Sequence, residues 1–459
     1  MAGTHSGVGK TSITIGLVSA LRKRGLRVQT FKVGPDYLDP TYLARASGRP
    51  CYNLDGWMTN EQYVKGLFGA KASQVDISVV EGAMGLFDGI DPTSIRGSTA
   101  EIAAWLGAPI ILVVDSHGLA RSLAPIVHGF ASFDHQVKVA AVVANHCGSE
   151  RHGLLLGKVL EDAGLPPMVG AMPRGALPVL PSRHLGLVSA DMHLLDDHVL
   201  DAFAEVTTNH SFMDEVERIA RQAPSFSWRQ DTLQKTQDVK KNIRLGIADD
   251  AAFHFYYPDN LEAFSVAGCE LVPFSPLRDK SLPSGLHAVY LGGGYPEEYV
   301  EELSENKTMI SSIKRFAEMG LPIYAECGGL MYLSQGIEFK DNRTFPLLGL
   351  LPIWTRMLPR LKALSYVEIT LKQESLFGTA GKRIRGHEFH YSELSDDPIG
   401  MDGWTSVYRL SGPLRVGYQD EGFQMGKILA SYVHAHYASH PDAVAHFVKS
   451  CQRTKCHGK

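Results

Sequence analysis

The amino-acid sequence predicts an α/β protein of two domains, each a mostly parallel sheet with helices on both faces. Apolar segments of strand length, such as residues 108–115, run without polar interruption, as expected of strands that are covered on both sides. Segments with the apolar spacing of helices alternate with them. The 459 residues exceed what one core usually holds, and a polar stretch at 224–241 is typical of a linker.

Composition describes an ordinary globular chain, in which 44% of residues are hydrophobic and 20% are charged, with a formal net charge of −4 at pH 7. That charge offers no broad basic field for nucleic acid. We find neither a signal-peptide pattern nor an apolar run of about 18 residues, and the six cysteines lack framework spacing. We therefore expect a cytoplasmic protein with small-molecule partners, one that binds neither nucleic acid nor membrane.

The chain opens with a glycine-rich loop, residues 3–11, and a helical pattern of apolar residues follows at once. In such a P-loop, backbone N–H groups wrap a polyphosphate, the Lys10 ammonium reaches the outer phosphates and the Thr11 hydroxyl holds Mg²⁺. The loop is a variant, because its first glycine stands one residue earlier than the strict spacing requires. The predicted ATP-binding loop residues are Gly7, Val8, Gly9, Lys10, Thr11 and Ser12.

The first half continues as alternating strands and helices. A turn and strand at 25–33 close a β-α-β unit after the first helix. The strand that feeds the loop is reduced to residues 1–2, so either it is unusually short or the native start lies upstream. Asn145, at the end of its strand, is predicted to read the nucleotide base, with a turn role as the alternative. Further strands are predicted at 75–82, 108–115 and 137–145.

Acidic side chains follow two of these strands, at the sheet edge where ligands of parallel sheets lie. Asp36 and Asp39 stand three residues apart in a Pro-bounded loop, and Glu81 ends an apolar strand. Asp36 and Asp39 suit Mg²⁺ binding, orientation of an acceptor or capping of the following helix. Glu81 is placed where a P-loop enzyme has a second carboxylate near its metal.

The second half contains a candidate nucleophile. The strand at 321–326 runs into Cys327, small residues surround it and a helical pattern follows, which predicts a strand-to-helix elbow. An elbow exposes the thiol and aims a helix N-terminus at it, which lowers the thiol pKa; a buried inert cysteine is the alternative. Upstream, a strand at 288–291 ends in three glycines, 292–294, whose N–H groups suit an oxyanion.

A thiol nucleophile needs a base, and two histidines are placed to supply it. His434 and His436 alternate along an extended segment and therefore project to one face. Either can pair with Cys327. A second polar cluster at 385–391 suits acceptor binding or an interdomain surface, and a structural role is the alternative for each histidine.

These motifs together closely resemble the cobyrinic acid a,c-diamide synthase family, over nearly the whole chain. The resemblance implies a dethiobiotin-synthetase-type P-loop fold for the first half and a flavodoxin-like class I glutamine amidotransferase domain for the second. The segments that carry it are 3–11, 31–40, 80–89, 325–329 and 433–436. The expected divisions are a synthetase domain at 1–205, a terminal helix and linker at 206–242, an amidotransferase domain at 243–445 and a polar tail at 446–459.

The resemblance implies a two-part reaction in cobalamin biosynthesis. ATP and Mg²⁺ activate the c and then the a acetate side chain of cobyrinic acid as an acyl phosphate, and ammonia from glutamine displaces the phosphate. A carboxylate is a poor electrophile, so it must be phosphorylated before an amide can form. The ammonia must cross to the other domain without being protonated.

Residue roles follow from the same resemblance. Cys327 would form the glutamyl thioester with His434 as its base, because His434 aligns with the base of related cobyric acid synthases. Ordinary class I amidotransferases have Pro-Glu after this histidine, whereas Ala435-His436 follows here, so a Cys-His dyad is expected. The expected oxyanion donors are Gly293 or Gly294 and Gly328; the Mg²⁺ ligands are Thr11, Asp39 and Glu81; the synthetase and acceptor site is Asp36, Leu38, Asp39 and Asp88.

Two other functions stay open on the sequence. A nickel-sirohydrochlorin a,c-diamide synthase shares overlapping motifs and acts on equivalent acetates of another tetrapyrrole. A partner-switching partitioning-type ATPase with an inactive glutaminase-like domain belongs to a different class. Cys327 with its glycines and His434 argue against the ATPase, as does the lack of a membrane-binding amphipathic tail.

Overall fold

The computed structural model describes residues 1–180, 182–183, 186–187, 195–226, 228, 242–413 and 415–452. The chain divides into two compact units, Met1–Leu233 and Gln234–Lys459. Most of the predicted linker, residues 229–241, lies outside the described residues. Among the helices of the described part, none combines the length and the hydropathy that crossing a bilayer requires.

The first unit alternates strands with helices, as predicted. Its strands are β1 (Ala2–Gly3), β2 (Val28–Val33), β3 (Tyr52–Leu54), β4 (Ile77–Glu81), β5 (Ile110–Asp115), β6 (Val139–Cys147), β7 (Met168–Pro173), β8 (Ser182–Arg183) and β9 (Gly186–Leu187). Its helices are α1 (Lys10–Lys23), α2 (Asp39–Ser47), α3 (Glu61–Ala72), α4 (Thr99–Leu106), α5 (Leu123–Ser132), α6 (Glu150–Asp162), α7 (Asp197–His210) and α8 (Met213–Arg221).

The strands β1 to β7 are all parallel. They form two hydrogen-bonded groups, β3-β2-β4 and β1-β5-β6-β7. Met1 joins the groups, since its amino group donates to Val80 O at 2.7 Å and Gly82 N–H donates to Met1 O at 2.8 Å. Strand β1, which feeds the glycine-rich loop, therefore lies between β4 and β5.

Helices cover both faces of this sheet. Along β5, Ile111 and Val113 belong to one buried cluster and Leu112 and Val114 to another, because successive strand side chains point to opposite faces. Helix α1 packs closely on α7, and a Cβ at Gly16 would lie 2.1 Å from Thr207 Oγ1. The prediction of a single terminal helix within 206–242 is wrong, since α7 ends at His210 and a second helix, α8, begins at Met213.

The second unit contains a larger set of strands. They are β10 (Ile243–Ala248), β11 (Cys269–Phe274), β12 (Ala288–Leu291), β13 (Ile323–Glu326), β14 (Gly336–Glu338), β15 (Thr344–Pro346), β16 (Trp354–Met357), β17 (Ala363–Leu371), β18 (Arg383–His390), β19 (Ser392–Leu394), β20 (Thr405–Ser411), β21 (Gln419–Met425), β22 (Ile428–Ser431) and β23 (His434–His436). The helices are α9 (Pro258–Val266), α10 (Val300–Glu305), α11 (Lys307–Glu318), α12 (Gly328–Leu333) and α13 (Asp442–Gln452), with short 3₁₀ turns at Pro296–Tyr299 and Tyr437–Ser439.

The main sheet of the second unit has the order β11-β10-β12-β13-β22-β21-β20-β17-β18-β23. The part from β11 to β22 is parallel, as predicted, and the rest is antiparallel. Strand β23 follows β22 after only two residues. The antiparallel part of the sheet therefore begins and ends on the same stretch of chain, residues 428–436. β14, β15, β16 and β19 form a separate small sheet.

The end of the chain differs from the predicted polar tail. Residues 446–452 belong to helix α13, which buries Val444, Phe447, Val448 and Cys451 along one side. Their spacing of three, four and seven residues makes an apolar stripe, and this stripe packs on the core of the unit. The remaining tail residues, 453–459, lie outside the described part.

Candidate active sites

The glycine-rich loop of the first unit connects β1 to α1. Gly7 and Gly9 have φ angles of 81° and 94°, a region that favours glycine. Asn145, from β6, supports this turn, since its Nδ2 donates to Val8 O at 2.8 Å and would lie 2.3 Å from a Cβ at Gly9. The structure therefore gives Asn145 a contact with the loop backbone that the prediction of base reading did not include.

Lys10 is the first residue of α1, and its ammonium group lies inside the loop. It donates to His5 O at 3.1 Å and to Met84 O at 2.6 Å. Burial, followed by the charge of Lys32, lowers the pKa of Lys10. A cavity of about 640 Å³ opens at this edge of the sheet, a size that suits a nucleotide. Its lining includes Ser6, Gly7, Gly9, Lys10, Thr11, Ser12, Lys32, Asp36, Asp39 and Asn145.

The three predicted Mg²⁺ ligands lie together beside this cavity. The Thr11 hydroxyl donates to Glu81 Oε1 at 2.9 Å and lies 3.3 Å from Asp39 Oδ2. Glu81 Oε2 is buried and has no hydrogen-bond partner among the described residues. A buried carboxylate oxygen without a donor suits a cation, and Mg²⁺ prefers carboxylate and hydroxyl oxygens together with phosphates. The residues therefore fit Mg²⁺.

Lys32 is a charged residue of the candidate site that sequence analysis missed. Its Nζ lies 2.5 Å from Asp39 Oδ2, 2.7 Å from Glu81 Oε1 and 3.6 Å from Asp36 Oδ2. A signal existed, because a lysine inside an otherwise apolar strand must be buried, and buried charges are paired.

Opposite charges decide the protonation of this cluster. Burial alone would lower the pKa of Lys32, but Glu81 and Asp39 raise it well above its ordinary value. Burial acts to raise the pKa of Asp39, yet Lys32 holds it below its ordinary value. Burial and the charge of Asp39 raise the pKa of Asp36 to about 7, and burial raises that of Glu81. One buried cation thus faces three carboxyl groups.

The other predicted acceptor residues shape nearby loops. Asp36 Oδ1 accepts the N–H groups of Leu38 at 2.8 Å and Asp39 at 3.2 Å, so Asp36 caps the start of α2 while its second oxygen faces Lys32. Asp88 Oδ2 accepts Gly85 N–H at 2.9 Å. Leu38 and Asp88 therefore flank the carboxylate cluster and the Lys10 loop respectively.

Cys327 forms the predicted elbow between β13 and α12. Its φ of 46° and ψ of −99° are strained for a residue with a side chain, and such strain is typical of nucleophiles. Cys327 N–H donates to Ser431 O at 2.7 Å, three residues before His434. A Cβ at Gly329 would lie 2.2 Å from Leu291 O, so the elbow packs directly on the end of β12.

The predicted oxyanion glycines and the predicted base lie around this elbow. A Cβ at Gly328 would lie 3.1 Å from Gly294 N, and one at Gly293 would lie 2.4 Å from His434 Cε1. Gly294 has a φ of 154° and approaches Ala252 O closely. The chain therefore brings both glycine segments and the imidazole of His434 to one place.

The two candidate histidines have different surroundings. The His434 ring lies against Gly293 and stacks on the His387 ring at 5.0 Å. His436 Nε2 instead lies 3.3 Å from Asp259 Oδ2, with both side chains buried. His434 therefore lies beside the predicted oxyanion glycines, whereas His436 has the Asp259 carboxyl as a partner. The 385–391 cluster contributes His387 to the site.

The predicted low thiol pKa is wrong. Burial, with a smaller contribution from Glu297, raises the pKa of Cys327, and the Gly328 N–H opposes this only weakly. The Cys327 residue is 6% exposed, and α12 is only six residues long. Burial also lowers the pKa of His434 well below its ordinary value. Both shifts favour the neutral forms of the thiol and the imidazole.

Comparison with known proteins assigns each half of the chain to a domain family. Residues 1–187 match a CobQ/CobB/MinD/ParA nucleotide binding domain, and residues 244–442 match a CobB/CobQ-like glutamine amidotransferase domain. A cobyrinate a,c-diamide synthase of Syntrophotalea carbinolica is 51% identical over 452 residues, which cover 98% of each chain. The chain belongs to the cobyrinate a,c-diamide synthase family.

Further relatives extend this match. A cobyrinate a,c-diamide synthase of Leptospira interrogans is 43% identical over 99% of this chain and 98% of its own. One of Priestia megaterium is 36% identical over 99% and 97%. As a member of this family, the chain is a ligase that combines a nucleotide-binding domain with a glutamine amidotransferase domain. The resemblance seen in the sequence is confirmed, as are both fold types.

A pH-dependent stability follows from Glu421, a buried carboxyl near the elbow. Burial raises its pKa from 4.5 to about 7, so the folded protein holds the proton more tightly than the unfolded chain. Its stabilising contribution is complete below pH 4.5 and is lost as the pH rises through about 7. The free energy of unfolding should therefore fall between pH 5 and 8. We expect Glu421→Gln to remove up to about 3 kcal/mol of this fall, as measured by chemical unfolding across the same pH range. An unchanged pH dependence would contradict this expectation.

Proposed function

We propose that this chain is a cobyrinate a,c-diamide synthase, which uses ATP and glutamine to amidate the a and c acetate groups of cobyrinic acid. The observation that carries the proposal is that one chain holds both halves of the chemistry. The first unit has a phosphate loop beside a carboxylate cluster, and the second has a strained thiol at an elbow that packs on the glycine segment contacted by the His434 imidazole. Full-length relatives with this printed name support it.

In the first unit, loop N–H groups and Lys10 would hold the ATP phosphates, and Thr11, Asp39 and Glu81 would hold Mg²⁺. When bound, Mg²⁺ neutralises charge on the phosphates. The acceptor carboxylate attacks the γ-phosphorus, ADP leaves and an acyl phosphate forms. Ammonia then attacks the acyl carbon and phosphate leaves, which completes the amide. Asp36, Leu38 and Asp88 are the proposed acceptor-side residues.

In the second unit, Cys327 and His434 would release the ammonia. His434 takes the thiol proton as sulfur attacks the glutamine amide carbon, so neither group must be charged beforehand. N–H groups of Gly293 or Gly294 and of Gly328 stabilise the tetrahedral oxyanion. His434 then returns the proton to the departing ammonia, and water hydrolyses the glutamyl thioester to glutamate.

Identification of the acceptor tests the proposal. The full-length protein is incubated with ATP, Mg²⁺ and glutamine, and separately with cobyrinic acid, hydrogenobyrinic acid or nickel-sirohydrochlorin, and each product is analysed by mass spectrometry. We expect two amides on cobyrinic acid. Amidation of nickel-sirohydrochlorin alone would move the chain to the alternative synthase, and ATP hydrolysis without any amidation would contradict both.

A further inference from the structure

Glu326, the residue immediately before the nucleophile, has a buried side chain that the proposed reaction does not use. It ends β13, and only 1% of it is exposed. A carboxyl group is costly to bury unless donors satisfy it. An apolar side chain of similar size would avoid this cost. The polar contacts of Glu326 therefore call for a reason.

Those contacts reach the segment that carries the base. Oε1 of Glu326 accepts the Ala435 N–H at 3.1 Å and the Tyr324 hydroxyl at 2.5 Å, and Oε2 accepts the Tyr290 hydroxyl at 2.6 Å. Ala435 directly follows His434. One carboxyl group, fixed by two tyrosines, thus connects the backbone on the N-terminal side of Cys327 with the backbone on the C-terminal side of His434.

The connecting segment between β22 and β23 depends on side chains for its hydrogen bonds. Tyr432 N–H donates to Glu421 Oε1 at 2.7 Å, and Val433 N–H donates to the Ser431 hydroxyl at 3.0 Å. The parallel pairing of β13 with β22 ends at Glu326 and Ser431. Beyond that point, the Cys327 N–H still donates to Ser431 O at 2.7 Å, and the Glu326 carboxyl reaches further along the segment, to the residue that follows His434.

We propose that Glu326 is a positioning residue of the glutaminase reaction, which holds the backbone beside His434 and so keeps the imidazole within reach of the Cys327 thiol. The proposal rests on the proposed function, in which His434 is the base. It also accounts for the sequence after His434, where Ala435-His436 replaces the Pro-Glu whose carboxylate orients the imidazole in ordinary class I amidotransferases. Here the carboxyl comes from the other side and acts through the backbone.

The test compares Glu326→Leu with Glu326→Gln in the full-length protein. Leucine removes the acceptor, whereas glutamine keeps a carbonyl oxygen for Ala435 N–H. A misplacement of about 1 Å in a reacting group costs about 10²-fold, so we expect Glu326→Leu to lower glutaminase kcat by about that factor with KM nearly unchanged. Glu326→Gln should retain most of kcat and the wild-type pH profile.

Two further readouts separate positioning from folding. Ammonia-dependent amidation by Glu326→Leu should stay near the wild-type rate. Alkylation of Cys327 by iodoacetamide should be slower in Glu326→Leu than in the wild type, and we expect a similar slowing in His434→Ala. Tyr408→Phe is the matched control, since the buried Tyr408 hydroxyl has no hydrogen-bond partner among the described residues and its loss should change neither rate.

Three outcomes are decisive. Wild-type kcat and alkylation in Glu326→Leu would overturn the positioning role while leaving the proposed function intact. Equal losses in Glu326→Leu and Glu326→Gln would also overturn it, because glutamine preserves the backbone contact. A wild-type protein without glutaminase activity would instead refute the proposed function itself.

Discussion

Cys327→Ala should abolish glutamine-dependent amidation and leave ammonia-dependent amidation near the wild-type rate. Removal of a nucleophile costs at least about 10³-fold, because no other group can form the covalent intermediate. Cys327 supplies the thiol at the strained elbow, and alanine keeps the Cβ while removing the sulfur. Glutamate release and amide formation, measured with glutamine and then with ammonium chloride, separate the two activities.

Cys51→Ala provides the control for this experiment. Cys51 is a buried cysteine of the first unit, whose pKa burial also raises, and no step of the proposed reaction uses it. We expect it to retain both activities. Residual glutamine-dependent amidation in Cys327→Ala would contradict the assignment, and loss of ammonia-dependent amidation would show that Cys327 acts outside glutamine hydrolysis.

Local motifs made much of the two sites predictable. The loop 3–11 and the Cys327 elbow are each set by neighbouring residues, so glycine positions and strand patterns were enough to find them. The parallel strands of both units could be predicted for the same reason. The antiparallel strands β17, β18, β20 and β21 were not predicted. Neighbouring strands pair in β17–β18, β20–β21 and β21–β22, but the β17–β20 and β18–β23 pairings join remote segments and are decided only by the folded chain.

Burial explains the other differences between the predicted sites and the structure. The thiol pKa of Cys327 depends on how completely the surrounding chain excludes water, which no local pattern reveals. The sequence showed Lys32 and Glu326 only as parts of strands, because their partners come from the distant elements β4, α2, β12 and β23. A charged residue inside or at the end of an apolar run was the available signal.

Lys32→Met is expected to remove the synthetase activity while leaving glutaminase activity intact. The ammonium group is the cation shared by Asp36, Asp39 and Glu81 in the first unit. Methionine has a similar length and no charge, so the change leaves these carboxyl groups facing one another. Loss of one partner from a buried ion pair costs about 3–5 kcal/mol, which would disturb the Mg²⁺ ligands and the acceptor side together.

The measurements are ADP formation with cobyrinic acid and ammonia, glutamate release by the second unit, and unfolding with and without Mg²⁺. We expect the first rate to fall by at least about 10²-fold. Lys23→Met is the matched control, because Lys23 lies on α1 with half of its side chain exposed and pairs with the exposed Asp201 at 2.8 Å. Exposed pairs contribute about 0–1 kcal/mol, so this variant should keep both activities.

The response to Mg²⁺ separates the two consequences of removing Lys32. Without the ammonium group, Mg²⁺ should stabilise Lys32→Met more than the wild type, since the same carboxyl oxygens then lack any other cation. If Lys32 contributed only structural charge neutralisation, saturating Mg²⁺ would restore ADP formation along with stability. Restored stability without restored ADP formation would instead mean that the ammonium also neutralises charge on the transferred phosphoryl group. Wild-type ADP formation at every Mg²⁺ concentration would contradict both roles.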